Sequence, residues 1–158
     1  MSVEEFQHSR LPAGAEPPED AGAAARLQLA LEQDFTTLRV IRGEAEAFVR
    51  RHRPSTDPDT LADVRLVLDE IACNAMRHAR PPCELTLSLR GDRILIEVSD
   101  SLPDFARGRE GYAGGGRGLA LIDAIAESWG QTPRPGGKTV WAELDLSPED
   151  PSGPRAPG

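Results

Sequence analysis

One stretch constrains this chain more than any other. Thr56 to Ala79, TDPDTLADVRLVLDEIACNAMRHA, reads as a single long helix. Asp57 is placed to cap its first turn, Pro58 suits the first helical position, and Asp59 and Asp63 stand where the helix dipole favours negative charge. Leu61, Val64, Leu68, Ile71, Ala75 and Met76 recur at three- and four-residue steps, which gathers them on one apolar stripe facing a core. A second row is more telling. Glu70, Asn74 and His78 follow one another at four-residue intervals, each turned only about 40° from the last. A carboxylate, an amide and an imidazole in one line are costly to bury unless a ligand or mutual hydrogen bonds satisfy them.

The 158 residues, 39% of them hydrophobic, suffice for one domain with a core of its own. Residues 1 to 24 and 147 to 158 are poor in large apolar groups and rich in Pro, Gly and charge, so both are expected to be disordered tails around a folded part from 25 to 146. No run approaches the roughly 20 apolar residues of a membrane span, and the opening MSVEEF lacks the pattern of a signal peptide, so the expected location is the cytoplasm. Cys73 and Cys83 have no metal-ligand spacing and read as reduced thiols. A formal charge of −8 argues against a nucleic-acid partner. The cations are almost all arginine; Lys138 is the single lysine.

Taken in order, RLQLALEQ (26–33) alternates as a half-buried strand. Asp34 then precedes a helix whose buried face is Phe35, Leu38, Ile41, Ala45 and Phe48 or Val49, with Gly43 a mild flaw and RRHRP at its end, where basic groups complement the dipole. After the long helix, strands are expected near 83–90 and 93–100, joined at Gly91-Asp92. SLPDFARGREGYAGGGRG, rich in Gly and Arg, reads as a loop or lid. LALIDAIAESW returns to helical spacing with Leu119, Ile122, Ile125 and Ala126 buried, and two strands close the chain near 129–132 and 138–146, turning at PRPGG. This order predicts an α+β two-layer sandwich: a mixed, largely antiparallel sheet with helices on one face.

Several of these residues suit chemistry. Asn74 offers a neutral oxygen of the kind Mg²⁺ accepts alongside substrate phosphates, and Glu70, one turn earlier, can orient or deprotonate an attacking hydroxyl; the plainer reading of the pair is an internal polar network. His78 is as well explained by a satisfied histidine near a helix end as by a ligand contact. Asp100, at a strand exit, is either a turn former or an acceptor for an exocyclic amine such as adenine's. Gly114, Gly115, Gly116, Arg117 and Gly118 lead into a helix, where open backbone amides and the positive helix end favour an anion, and Arg117 either reaches a terminal phosphate or is solvated. GGKT at 136–139 is not a phosphate loop: the pattern needs Gly where Thr132 stands, and a helix where a strand follows. Thr139 is expected to turn its hydroxyl into the site, and Lys138 to be an edge or surface charge.

With these motifs in place, DEIACNAMRHA, EVSD ending at Asp100, GGRGLALIDAIAESWG and GGKTVW, the chain resembles the GHKL ATPase superfamily and, more narrowly, the small anti-sigma factor serine kinases. The motifs cover most of residues 26–146 in the family's order. The resemblance implies a Bergerat-type sandwich and the cofactors ATP and Mg²⁺. By position it implies Glu70 as catalytic base, Asn74 as Mg²⁺ ligand, Asp100 as adenine reader, Gly116 and Gly118 as phosphate-loop glycines with Gly114, Gly115, Arg117 and Leu119 beside them, and Thr139 near the adenine. One departure is plain: the family has Asp-x-Gly where this chain has Asp100-Ser101-Leu102, so Leu102 is expected to weaken nucleotide binding.

Two functions follow from this. The first is an ATP-dependent serine/threonine kinase that phosphorylates an anti-sigma antagonist and sequesters a sigma factor, with homodimers common in such families. The second is a non-catalytic module that binds a sigma factor or another regulator and has weak or lost nucleotide affinity.

Overall fold

The computed structural model describes residues 16–18, 22–78, 82–101 and 116–148. The expected tails fall largely outside these residues, as does most of the Gly- and Arg-rich loop, including Leu102, Gly114 and Gly115. The side chains of Phe35, His78 and residues 116–119 are likewise not described. The elements run β1 (Ala25–Leu31), α1 (Phe35–His52), α2 (Pro58–His78), β2 (Cys83–Arg90), β3 (Arg93–Asp100), α3 (Gly116–Ile125), β4 (Ser128–Arg134) and β5 (Gly137–Asp145).

Local chemistry explains where these elements begin and turn. Asp34 caps α1 by accepting the Thr36 amide at 2.9 Å, and Asp57 caps α2 by accepting the Thr60 amide at 2.9 Å and the Thr60 hydroxyl at 2.8 Å. Gly91, at φ 58°, takes the first central place of the two-residue β2–β3 turn, which matches a type II′ hairpin. In the β4–β5 turn Pro135 precedes Gly136, at φ 76°, the arrangement of a type II turn.

The strands form one sheet in the order β1-β2-β3-β5-β4. All four pairings are antiparallel, so the largely antiparallel sheet expected is wholly so among the described strands. Pro133 is tolerated because β4 is an edge strand. Opposed pairs such as Leu85 with Val98, Ile96 with Ala142 and Ile94 with Leu144 share the face that joins the core. Against it pack Leu38, Ile41, Ala45 and Val49 of α1, Val64, Leu68, Ile71 and Ala75 of α2, and Ile122 of α3. Helix α2 crosses β3 and β5, α1 lies against β1, and α3 against β4. Arg42 of α1 clasps Asp69 of α2 at 2.7 Å, and Trp129 of β4 donates its indole N–H to Asp123 of α3 at 3.0 Å. No helix among the described residues is long and apolar enough to cross a membrane.

Sheet register also fixes one end of the molecule. Only four residues separate His78 from Cys83, so the last turns of α2 lie at the end of the sheet where β2 begins. Glu84 pairs with Ser99 and Asp100 with Lys138, which brings the exit of β3 and the start of β5 to that same end. Ile125 closes α3 just before β4 begins, at the opposite end of the sheet. A ten-residue helix is about 15 Å long and carries its first turn back toward Asp100.

Candidate functional site

On α2, Glu70 and Asn74 stand one turn apart on the flank of the buried stripe, and both are half-buried. Their exposure changes the energetic argument made from sequence alone. Water reaches both groups, so neither needs a ligand to offset its burial. They are open to a solvent-borne partner while the neighbouring Ile71 and Ala75 anchor the helix. His78 closes the helix backbone, and its ring is outside the described residues.

Asp100 ends β3 in a different environment. It is 9% exposed and stands on the helix side of the sheet, in line with Ile94, Ile96 and Val98. Directly opposite on β5 is Lys138, whose Nζ lies 2.9 Å from Asp100 Oδ2, with side chains only 5% and 2% exposed. The expectation of an edge or surface charge at Lys138 is therefore corrected. Lys138 alternates with Val140, Ala142 and Leu144 on the core face, and a cation brought inside by that alternation takes a carboxylate as partner.

The same alternation moves Thr139. Side chains of successive strand residues point to opposite faces, so Thr139 lies on the face turned away from Asp100. There it is 1% exposed. Its Oγ1 sits 2.8 Å from Ser99 Oγ and accepts from Arg134 Nε at 3.1 Å. The place at Asp100 expected for Thr139 is held by Lys138. The backbone gives a reason for the fixed register: a Cβ built on Gly137 would run into the Asp100 carbonyl group, standing 2.9 Å from its carbon, and would be 3.1 Å from Ser101 Cα. Only glycine lets β5 start this close to the end of β3.

Cys83 feels this charge pair. Burial pushes its thiol above the usual range, the Asp100 carboxylate adds to the rise, and the Lys138 ammonium opposes it. Gly116, Arg117 and Gly118, expected in the loop before the helix, form with Leu119 the opening turn of α3. The first four amides of a helix have no partner within it, so these positions still present backbone donors.

A concavity of about 170 Å³ lies elsewhere, between α1 and α2, bordered by Arg42, Glu46, Arg50, Leu61, Arg65 and Leu68. It contains none of the candidate residues. Sequence reasoning missed Lys138 as a site residue, although its parity with Val140 and Ala142 was a usable signal.

The arrangement has clear relatives. The sequence matches the model of the histidine kinase-like ATPase domain over residues 31–144. The fold is similar to that in the crystal structure of the RsbU and RsbW domains of Rv1364c from Mycobacterium tuberculosis, with 19% identity, a TM-score of 0.61 and coverage of 80% of this chain and 34% of that one. The chain thus spans about a third of that protein. A weaker likeness, 12% identity and a TM-score of 0.47 over 91% of this chain and 72% of the other, is to Acinetobacter baumannii histidine kinase AdeS. No curated protein matches the chain.

Proposed function

Since the chain belongs to the histidine kinase-like ATPase family, we propose that it is an ATP-binding regulatory protein that phosphorylates a serine or threonine of an anti-sigma antagonist and sequesters a sigma factor. One observation carries this reading: half-buried Glu70 and Asn74 occupy consecutive turns of α2 on the helix side of the sheet, while buried Asp100 closes β3 at the end of the sheet that α2 reaches.

The donor set suits magnesium bound through a nucleotide. The Asn74 amide oxygen would be the protein's ligand to such an ion, with nucleotide phosphates and water supplying the rest; among the described residues no three His, Cys, Asp or Glu side chains gather as a metal site. When bound, MgATP supplies the phosphoryl group and the charge neutralisation that such transfer needs. Asp100 accepts a hydrogen bond from the exocyclic amine of the base. The backbone amides of the first turn of α3, Gly116 to Leu119, donate to phosphate oxygens. Glu70 takes the proton of the attacking hydroxyl. Glu70→Ala is expected to abolish phosphate transfer to the antagonist while changing nucleotide affinity no more than a few-fold; transfer retained by the variant would remove Glu70 from this role.

The buried Lys138–Asp100 pair favours a second reading, a protein-binding module in which nucleotide has little affinity because the acceptor is already engaged. Such a module gives no saturable ATP binding at millimolar concentration.

A further inference from the structure

We infer that Lys138 holds the nucleotide affinity of this protein down by locking the base-reading carboxylate in a buried internal ion pair. The inference rests on the reading of Asp100 as the acceptor of the base amine.

The geometry makes the lock specific. Lys138 Nζ is 2.9 Å from Asp100 Oδ2 and both side chains are almost wholly enclosed, at 5% and 2% exposure. The two residues are direct partners across β3 and β5. The absence of a side chain at Gly137 lets the start of β5 lie against the Asp100 backbone, and this register sets Lys138 directly opposite Asp100. The charge at this position is also unusual for the chain, because every other cation of Lys or Arg type is arginine. A compact ammonium on a flexible four-carbon stem can follow one carboxylate oxygen into a space where a planar guanidinium fork would need more room.

Energetics then set the sign. A buried carboxylate already paired with a full positive charge gains little from the neutral amine of a base, and a base that displaces the ammonium leaves that charge inside without a partner. Removing the ammonium has two opposite effects. The free protein loses stability, because the Asp100 carboxylate is left without its cation. The nucleotide complex recovers part of that loss, because the base amine now satisfies the carboxylate. Tighter binding in a less stable protein is therefore the signature of the lock, whereas removing a lysine with a purely structural role would lower both stability and affinity.

The test compares the full chain with Lys138→Met, which keeps the apolar stem, and Lys138→Gln, which keeps a neutral donor. Thermal midpoints are read by circular dichroism, and affinities for MgATP and for the magnesium complex of purine riboside triphosphate, which lacks the exocyclic amine, by calorimetry. Lys138→Met is expected to melt lower and to bind MgATP about tenfold tighter or better, with no such gain for the amine-free analogue. Should Lys138→Met not fold, Lys138→Gln is read the same way with a smaller gain. A folded variant that binds MgATP no tighter than the parent, or that gains equally for both nucleotides, overturns the lock. Adding Asp100→Asn to Lys138→Met separates this failure from that of the underlying reading: if the double variant keeps the MgATP gain of Lys138→Met, Asp100 is not the base acceptor and both ideas fall.

Discussion

Gly137→Ala offers a sharp structural test, because the added methyl has backbone in front of it. Its Cβ would lie 2.9 Å from the Asp100 carbonyl carbon and 3.1 Å from Ser101 Cα, and it would overlap the Asp100 carbonyl oxygen. Non-bonded carbons rest at about 3.5–4.0 Å, so the start of β5 and the end of β3 would have to part by at least about 1 Å. Overpacking in a filled interior costs about 1–3 kcal/mol, and backbone obstacles, which cannot rotate aside, place this change at the upper end. For a domain of this size about 3 kcal/mol lowers the thermal midpoint by on the order of 10 °C. The same separation disturbs the Asp100–Lys138 pair, so nucleotide affinity should change as well. Gly43→Ala is the matched control. It lies inside α1 with nothing within 4 Å of a new Cβ, and should stabilise the protein by about 0.5–1 kcal/mol. Thermal melts followed at 222 nm, with calorimetric nucleotide titrations on each variant, read both effects. A Gly137→Ala protein that melts with the parent and binds nucleotide identically would refute the claim that close strand approach fixes this site.

Other consequences are open to measurement. Hydrogen bonds from Thr36, Thr60 and Ser147 hold the Asp34, Asp57 and Asp145 carboxyls below the usual carboxylate range. A depressed folded pKa contributes stability that is whole above the unfolded value near 3.9 and is lost as pH falls through the folded one. The thermal midpoint should therefore hold between about pH 5 and 8 with respect to these groups and drop below about pH 4; a Thr60→Ala variant, which removes the hydroxyl donor to Asp57, should show a shallower drop. Ile71, 1% exposed in the centre of the α2 stripe, should lose about 2–5 kcal/mol on change to alanine, checked by urea denaturation. The Cys73 and Cys83 thiols are both pushed upward, by burial first and by Asp69 and Asp100 respectively, so alkylation at neutral pH should be slow until the protein is unfolded.

Much of the fold was legible because its signals are local. The α2 cap at Asp57, the apolar steps from Val64 to Met76, the turn at Gly91 and the alternation of β2 and β3 each depend on residues a few places apart, and each stands where the sequence puts it. The site was less legible because its signals cross the sheet. Whether Lys138 or Thr139 faces Asp100 depends on the β3–β5 register, which a tight glycine contact at Gly137 sets and which no run of neighbouring residues announces. The hydrophobic parity of Val140, Ala142 and Leu144 held the answer, but a charged residue in a strand is ordinarily assigned to solvent. The degree to which Glu70 and Asn74 are covered was hidden for a similar reason: helical periodicity gives the direction of a side chain but not the reach of the elements packed beside it.

Whether this chain binds a magnesium nucleotide at the proposed place is best asked residue by residue, by titrating MgATP into isotopically labelled protein and following backbone amide resonances. Saturable shifts centred on the second half of α2 around Asn74, the exit of β3 at Asp100, the start of β5 at Lys138 and the first turn of α3 are the predicted result. Shifts confined to the concavity between α1 and α2, or none at millimolar nucleotide with the spectrum of a folded protein, would contradict the account.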